Sequence, residues 1–310
     1  MEIHHFEQGW VTPVASYLLS VLGSLLGLMC ASRLRAARTR GGRAWWLSLS
    51  AVALGGTGIW TMHFVAMLGF GVVGTPIRYD PGMTASSAAL AIVAVGAGML
   101  VVFGGERART LRLLGGGLLA GLGVAGMHYV GMEGVHLNGE ILYDATKVTA
   151  SVIIAVVAAT AALWLTATVR RPAAIAAAAL VMGVAVNGMH FTGMSAMSVR
   201  AGAPDGSPSG VTATSLLIPI GLAAVFAILG LVSALMAVPT DEDREAAIYP
   251  ASRPRRGASA PAPEPHPVFG GTPGSAPAPG APRGEGRIPQ PRRSSLGDAS
   301  WTYRDRTPRQ

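Results

Sequence analysis

Seven long apolar stretches constrain the fold of this chain more than any other feature. They lie at about residues 11–32, 45–70, 84–104, 112–132, 148–168, 173–195 and 212–237. Each can cross the roughly 30 Å hydrocarbon core of a bilayer as a helix, which takes about 20 residues. The stretches do not alternate with a period of two, so helices fit them better than strands do. The sequence therefore predicts an all-α polytopic membrane protein with seven transmembrane helices.

The composition supports the same class. Of the 310 residues, 50% are hydrophobic and 13% are charged, whereas soluble domains carry about 25% charged residues. The lipid bilayer is therefore the expected partner of these segments. The net charge of +8 is better explained by membrane topology than by nucleic-acid binding, and no nucleic-acid partner is expected.

The positive residues predict the orientation of the spans. The first, third and fifth connecting loops and their margins hold ten arginines, whereas the other loops hold Arg78, Lys147 and Arg200. Positive residues accumulate in cytoplasmic loops. We therefore expect a multi-pass membrane protein with its N-terminus outside and its C-terminus in the cytoplasm.

Three regions follow from this pattern. Residues 1–10 are predicted to be an extracellular N-terminus, and residues 11–237 a seven-helix membrane domain. The segment 238–310 holds 14 of the 21 prolines, which is typical of chains that cannot bury enough apolar surface to fold. We expect a disordered cytoplasmic tail rich in Pro, Gly, Ala and Arg. A cytoplasmic signalling partner could bind there, and the tail leaves no room for a folded output domain.

A repeated motif stands at the end of three of the spans. The segments "IWTMHFVAMLG" (59–69), "VAGMHYVGMEG" (124–134) and "VNGMHFTGMSA" (186–196) share Met-His-aromatic-x-x-Met. Their histidines are His63, His128 and His190, 65 and 62 residues apart. A fixed period of this size indicates an internal repeat. Each repeat would contain two helices, with one helix left over. The motifs lie on the second, fourth and sixth spans, which run in one direction, so the histidines are expected at one depth near the outer face.

The residue types in the motif suggest a metal site. Residues four apart share a helix face, so each histidine points the same way as the methionine that follows it. The preceding methionine lies about 100° around the helix. Imidazole suits copper, zinc, iron or nickel, but thioether selects copper. The predicted ligands are Met62, His63, Met67, Met127, His128, Met132, Met189, His190 and Met194. They could share one copper ion or bind up to three.

The motif, the number of helices and the sidedness resemble the MHYT domain, a bacterial integral-membrane sensor family. The resemblance covers roughly residues 10–237, although "MHFV", "MHYV" and "MHFT" each depart from Met-His-Tyr-Thr. It implies a multi-pass protein of the bacterial inner or plasma membrane. It also implies copper held by the nine residues named above and sensing of oxygen, carbon monoxide or nitric oxide. Many members of the family carry domains that make or degrade cyclic dinucleotides, or a kinase. No such domain is recognisable in this sequence.

Two other functions remain open at this stage. A copper or other metal transporter would need ligating residues toward the cytoplasm, where the spans are almost purely Ala, Val, Leu and Gly. A membrane oxidase with haem or copper could use paired histidines, but the methionine pairing argues against haem. The sequence contains no nucleophile with a paired base and no paired catalytic carboxylates, so we expect a sensor and not an enzyme.

Overall fold

The structure is a computed structural model that describes residues 3–4, 9–105, 107–201 and 208–237. Seven helical spans in these residues are long and apolar enough to cross a membrane, which confirms the predicted fold class. They are α1 (Val11–Ala36), the composite second span (Arg40–Met67), α4 (Pro81–Phe103), α5 (Arg109–Glu133), α6 (Ala145–Thr168), α7 (Pro172–Ser195) and α8 (Ala213–Met236).

Polar side chains start several of these helices. Asp80 precedes α4 and accepts a hydrogen bond from the backbone N–H of Met83, with Pro81 at the first helical position. Asp144 accepts from the N–H groups at the start of α6, and Thr212 does the same for α8. Such caps satisfy backbone donors that have no partner inside the helix.

Six of the spans close into a ring. Going round it, α1 packs against the second span, which packs against α4; α4 packs against α5, α5 against α6, α6 against α7, and α7 against α1. The seventh span, α8, lies outside this ring and packs against the second span and α1. The three motif helices therefore alternate with helices that carry no motif, and this alternation lets all three motifs face the middle of the ring.

The second span is not a uniform α-helix. It consists of α2 (Arg40–Ala51), a ten-residue π-helical segment (Val52–Thr61) and α3 (Met62–Met67). Long π-helical runs are rare and often occur near functional sites. The segment is packed tightly on both sides. A Cβ on Gly23 of α1 would overlap the backbone of Gly58, and a Cβ on Gly55 would lie 2.7 Å from the carbonyl oxygen of Ala91 in α4.

Three short antiparallel strand pairs lie at the ends of the spans that carry the motifs. Strand β1 (Ile3–His4) pairs with β2 (Gly71–Val72), β3 (Arg78–Tyr79) with β4 (Val135–His136), and β5 (Gly139–Tyr143) with β6 (Met197–Ala201). These strands were not predicted from the sequence. The β3–β4 pair links the connections that follow the second span and α5, and the β5–β6 pair links those that follow α5 and α7, whereas β1–β2 joins the N-terminal segment to the end of the second span.

The predicted tail 238–310 and most of the predicted N-terminal segment 1–10 lie outside the described residues. The direction in which the spans cross the membrane also stays a prediction, because it rests on the charge pattern alone.

The predicted orientation can be tested with single cysteines. The one native cysteine, Cys30, is fully buried, so it gives little background. Val73 is exposed in the connection after the second span, and Gly41 is exposed beside the first loop. We expect a membrane-impermeant maleimide to label Val73→Cys in intact cells and Gly41→Cys only after lysis. The reverse pattern would contradict the predicted orientation.

Gly23→Ala should destabilise the bundle because its new methyl group would overlap the backbone of Gly58. Overpacking costs about 1–3 kcal/mol in proteins, and we expect Tm in detergent to fall by several degrees. Gly221→Ala in α8 is the matched control, since its Cβ would meet nothing within 4 Å. An equal Tm for the two variants would contradict the close approach of α1 to the second span.

Candidate metal centre

The three motif histidines meet at one point inside the bundle. His63 lies in α3, His128 in α5 and His190 in α7. Each lies within the last turns of its helix, and their side chains are 1%, 1% and 2% exposed. One nitrogen from each ring lies within 4.8 Å of the corresponding nitrogens of the other two. The structure thus unites three residues that are far apart in the sequence.

The three rings surround this point at similar distances, with their planes steeply inclined to one another. Ring centroids are 4.9 Å apart for His63 and His128, 5.0 Å for His63 and His190, and 5.2 Å for His128 and His190. The ring planes are close to perpendicular, at 76°, 80° and 89°. Three similar angles and distances indicate a nearly threefold arrangement, as expected for three copies of one motif.

The Nδ1 atoms converge more closely than the rings. Nδ1 of His63 lies 3.0 Å from Nδ1 of His190 and 3.2 Å from Nδ1 of His128. A neutral imidazole has one N–H and one bare nitrogen. The Nδ1 of His63 therefore cannot donate to one neighbour and accept from the other at the same time. Hydrogen bonding alone does not easily satisfy this geometry.

A metal ion fits the same geometry better. Metal–imidazole bonds are about 2.0–2.1 Å long, so three nitrogens around one ion lie roughly 3.3–3.6 Å apart. The two shortest separations in the cluster, 3.0 and 3.2 Å, are only slightly below this range. One ion among the three Nδ1 atoms would accept all three lone pairs, which the hydrogen bonds cannot do.

Two glycines pack against the Nε2 sides of the His63 and His128 rings. A Cβ on Gly131 of α5 would lie 2.7 Å from Nε2 of His63, and a Cβ on Gly193 of α7 would overlap Nε2 of His128. Each glycine stands three residues after the histidine of its own motif. The ring of His63 therefore packs against the second motif, and the ring of His128 packs against the third. Within the described residues, these two Nε2 atoms have no hydrogen-bond partner. Ring orientation therefore depends on packing against glycine, where many metal sites use a second hydrogen bond.

The six motif methionines are all buried, at 1–3% exposure, and they separate into layers. Met67, Met132 and Met194 belong to one apolar cluster with Phe64, Phe70, Tyr79 and residues of the strand pairs, which we call the outer cluster. Met127 and Met189 belong to the larger core cluster of the bundle. The histidines stand between these layers, since the later methionines follow them by one helical turn.

The aromatic residue after each histidine packs against its ring. The centroid separations are 5.0 Å for Phe64, 4.9 Å for Tyr129 and 5.0 Å for Phe191. The Tyr129 hydroxyl hydrogen-bonds Ser151 of α6 at 2.6 Å. That hydroxyl therefore joins two helices and does not point at the centre of the cluster.

Two phenols on the outer side of the site are neutral at physiological pH. Burial raises the pKa of Tyr79, in the outer cluster, to about 12. Burial, followed by the charge of Glu133 and then by Tyr129, raises the pKa of Tyr143 to about 12 as well. Both phenols therefore keep their protons at pH 7, and neither supplies a charge to a bound ion.

Two parts of this site were not predicted from the sequence. They are the contacts of Gly131 and Gly193 with histidine rings, and the π-helical segment directly before Met62. The position of each glycine, three residues after a histidine, was visible in the repeat. Its contact with a ring of another motif depends on the packing of helices and could not be read from the spacing.

Comparisons with known proteins agree with the repeat. A family model for MHYT, described as "Bacterial signalling protein N terminal repeat", matches residues 56–116, 121–179 and 183–248. Each match includes one of the three motifs. The matched residues cover more than half of the chain.

Several curated bacterial proteins are similar to this chain. The bifunctional diguanylate cyclase/cyclic di-GMP phosphodiesterase MucR of Pseudomonas aeruginosa is 39% identical over 186 residues, which are 58% of this chain and 27% of that protein. An uncharacterised signalling protein of Caulobacter vibrioides is 36% identical over 178 residues, 57% of this chain and 21% of that protein. The cyclic di-GMP phosphodiesterase NbdA of Pseudomonas aeruginosa is 37% identical over 170 residues, 51% and 21% of the two chains. The matched part is thus about a fifth to a quarter of each relative. No solved structure matches the chain.

Gly193→Ala should disturb the cluster, because the new methyl group would overlap the imidazole of His128. We expect a lower Tm, by an overpacking cost of about 1–3 kcal/mol, together with a shifted ¹⁵N resonance of the His128 ring. Gly188→Ala on the same helix is the control, since its Cβ meets nothing within 4 Å. If both variants keep the wild-type Tm and histidine resonances, the described packing of His128 on Gly193 is wrong.

Proposed function

Because the chain belongs to the MHYT family of bacterial signalling proteins, we propose that it is a sensor of the bacterial inner membrane with one copper ion held by His63, His128 and His190. The convergence of their three Nδ1 atoms is the observation that carries this proposal. It also favours a single shared ion over three separate ones, because each histidine has only one nitrogen directed at the centre.

The surroundings of the cluster favour copper in its reduced state. The three imidazoles are neutral ligands, so they do not offset the charge of a bound ion, and the cluster is buried. The cost of burying an ion rises steeply with its charge. Cu(I) carries one positive charge, whereas zinc and iron would bring at least two. The methionine layers on both sides provide the soft thioethers that Cu(I) accepts as additional ligands.

Met67, Met132 and Met194 are the methionines best suited to approach the ion from the outer side. They follow the histidines by four residues and share one buried cluster. Met62, Met127 and Met189 are adjacent to the histidines in sequence and buried on the same helices. In this proposal the first set completes or tunes the coordination, and the second set lines the inner side of the site.

The proposed signal is a diatomic gas or the redox state. Copper held by the three imidazoles would supply a binding position for oxygen, carbon monoxide or nitric oxide. The residues of this chain fix three helices around that position and exclude water with the outer cluster. A ligand that favours one arrangement of the three histidines over another would shift the packing of α3, α5 and α7, and such a difference is required of any signal.

We propose a cytoplasmic output for the sensor. MucR and NbdA are named for cyclic di-GMP synthesis or hydrolysis, and the chain matches only about a quarter or less of their length. The matched region belongs to the signalling repeat. We propose that this membrane domain passes its state to a cytoplasmic partner or domain, with the 238–310 tail as the predicted contact. No catalytic role is proposed for the membrane domain itself.

Transport of copper is the alternative that the same site could serve. A transport path needs ligands or polar groups that continue inward from the histidines. The space directly inward of the cluster is lined by aliphatic residues and methionine, with Ser24 as the one polar residue of that lining. This lining favours a site that binds an ion and retains it. Copper uptake into proteoliposomes that depends on His63 would instead support transport.

The copper site can be tested on the purified full-length protein. We expect about one Cu(I) per chain in an anaerobic competition titration, with binding lost in His63→Ala, His128→Ala and His190→Ala. Removing one of three ligands from a metal site typically costs orders of magnitude in affinity, since even changes to the groups that hydrogen-bond the ligands cost about 10–100-fold. His136→Ala is the control, since His136 hydrogen-bonds the backbone of Ser209 away from the cluster.

A second pair of variants tests the thioether ligands. Met132 is 1% exposed in the outer cluster, whereas Met236 is 80% exposed at the end of α8. Leucine has nearly the volume of methionine, so Met132→Leu should preserve packing and weaken Cu(I) binding, and Met236→Leu should change neither. Copper-free wild-type protein with a Tm unaffected by Cu(I) would refute the metal proposal as a whole.

A further inference from the structure

An apolar cavity lies in the membrane interior of the bundle. Its volume is about 60 Å³, and its walls come from α1, the second span, α4, α5, α6 and α7. All of these are spanning helices, so the cavity lies at the depth of the lipid hydrocarbon. Neither the repeat nor the family match assigns a role to this space.

The cavity begins directly inward of the histidine cluster. Ile59, Val124 and Val186 all line it, and they stand four residues before His63, His128 and His190, respectively. Residues four apart lie on the same face of a helix, one turn from each other. All three motif helices therefore contribute one wall residue immediately beneath their histidine. Met189, which adjoins His190, lines the cavity as well.

The lining selects small apolar molecules. Apart from Ser24, it consists of Ala, Val, Leu, Ile and Met side chains. A cavity needs only about 10–15 Å³ to hold one water, yet cavities with an apolar lining stay dry and accept benzene or xenon. Hydrated ions and charged metabolites would lose their hydration here without any replacement. The chemistry therefore fits an uncharged molecule of a few atoms.

Part of the cavity wall lies near the lipid-facing side of α6 and α7. Ala158, Ala162 and Ala185 line it and are only partly buried, and the residues Ala161 and Val184 that adjoin two of them are exposed on the lipid side of α6 and α7. At this depth an opening between helices faces hydrocarbon and not water. Diatomic gases without charge dissolve in hydrocarbon, so the bilayer can supply them.

We propose that this cavity admits a diatomic gas from the bilayer between α6 and α7 and holds it one helical turn inward of the three histidines. The inference rests on the proposed gas-sensing function for its biological purpose. The occupation of the cavity itself does not require a metal. Entry from the lipid also leaves the outer cluster closed, so the ligand reaches the site while water is excluded.

Dissolved oxygen can be used directly as the probe because it is paramagnetic. Methionine methyl groups labelled with ¹³C report its proximity through faster relaxation, in the reduced full-length protein in lipid nanodiscs. Met182 and Met189 line the cavity, whereas Met99 is fully buried elsewhere in the core. We expect oxygen to enhance relaxation several-fold more at Met182 and Met189 than at Met99, and xenon to compete with this effect.

A variant pair tests the position of the site. Ala159→Phe should fill the cavity and remove more than half of the enhancement at Met182 and Met189. Ala161→Phe on the lipid-facing side of the same helix should leave it unchanged. The wild-type comparison with Met99 and the xenon competition need no variant, so they hold even if Ala159→Phe fails to fold.

Two results would overturn the inference. One is an enhancement at Met182 and Met189 no larger than at Met99, which would mean that oxygen does not enter or that a lipid chain fills the space. The other is an equal loss in both phenylalanine variants. Either can occur while copper binds normally, and a copper-free protein can still show oxygen in the cavity, so failure here is distinct from failure of the copper proposal.

Discussion

The convergence of three neutral imidazoles in an apolar interior is the interaction on which the rest of this structure depends. Each ring brings polar nitrogens into surroundings where an unsatisfied polar group costs several kcal/mol. In its two close contacts, at 3.0 and 3.2 Å, Nδ1 of His63 cannot donate to one ring and accept from the other. The bundle therefore concentrates unused lone pairs at one point, and a cation is the partner that uses them together.

The packing around the cluster serves this convergence. The three rings can approach only if the motif helices are close, and Gly131 and Gly193 remove the Cβ atoms that would collide with them. The π-helical segment before His63 packs just as tightly, through Gly23 and Gly55. Above the histidines the outer cluster excludes water, and below them lies an aliphatic cavity. The three imidazoles are thus enclosed between an apolar cluster on one side and a largely aliphatic cavity on the other.

Periodic features of the sequence predicted most of the fold. The seven spans, their approximate ends and the three repeats followed from hydropathy and from the Met-His-aromatic-x-x-Met spacing, and the structure and the family match confirm them. The structure brings only some of the nine predicted ligands to one point. The three histidines meet, whereas the methionines divide into layers, and their part in binding stays a proposal. Helix packing determines the strand pairs, the π-helical segment and the contact of Gly193 with His128. The spacing of residues along the sequence does not contain this information.

The near-threefold ring has a consequence for how such a site can arise. One two-helix repeat contributes a single histidine, so an isolated repeat could complete the cluster only by assembling as a homotrimer. Joining three copies in one chain makes that assembly intramolecular and independent of protein concentration. It also frees the copies to diverge. The first motif already has Ala66 where the others have Gly131 and Gly193, so the three sectors of the ring are no longer interchangeable, as they would have to be in a symmetric ancestor.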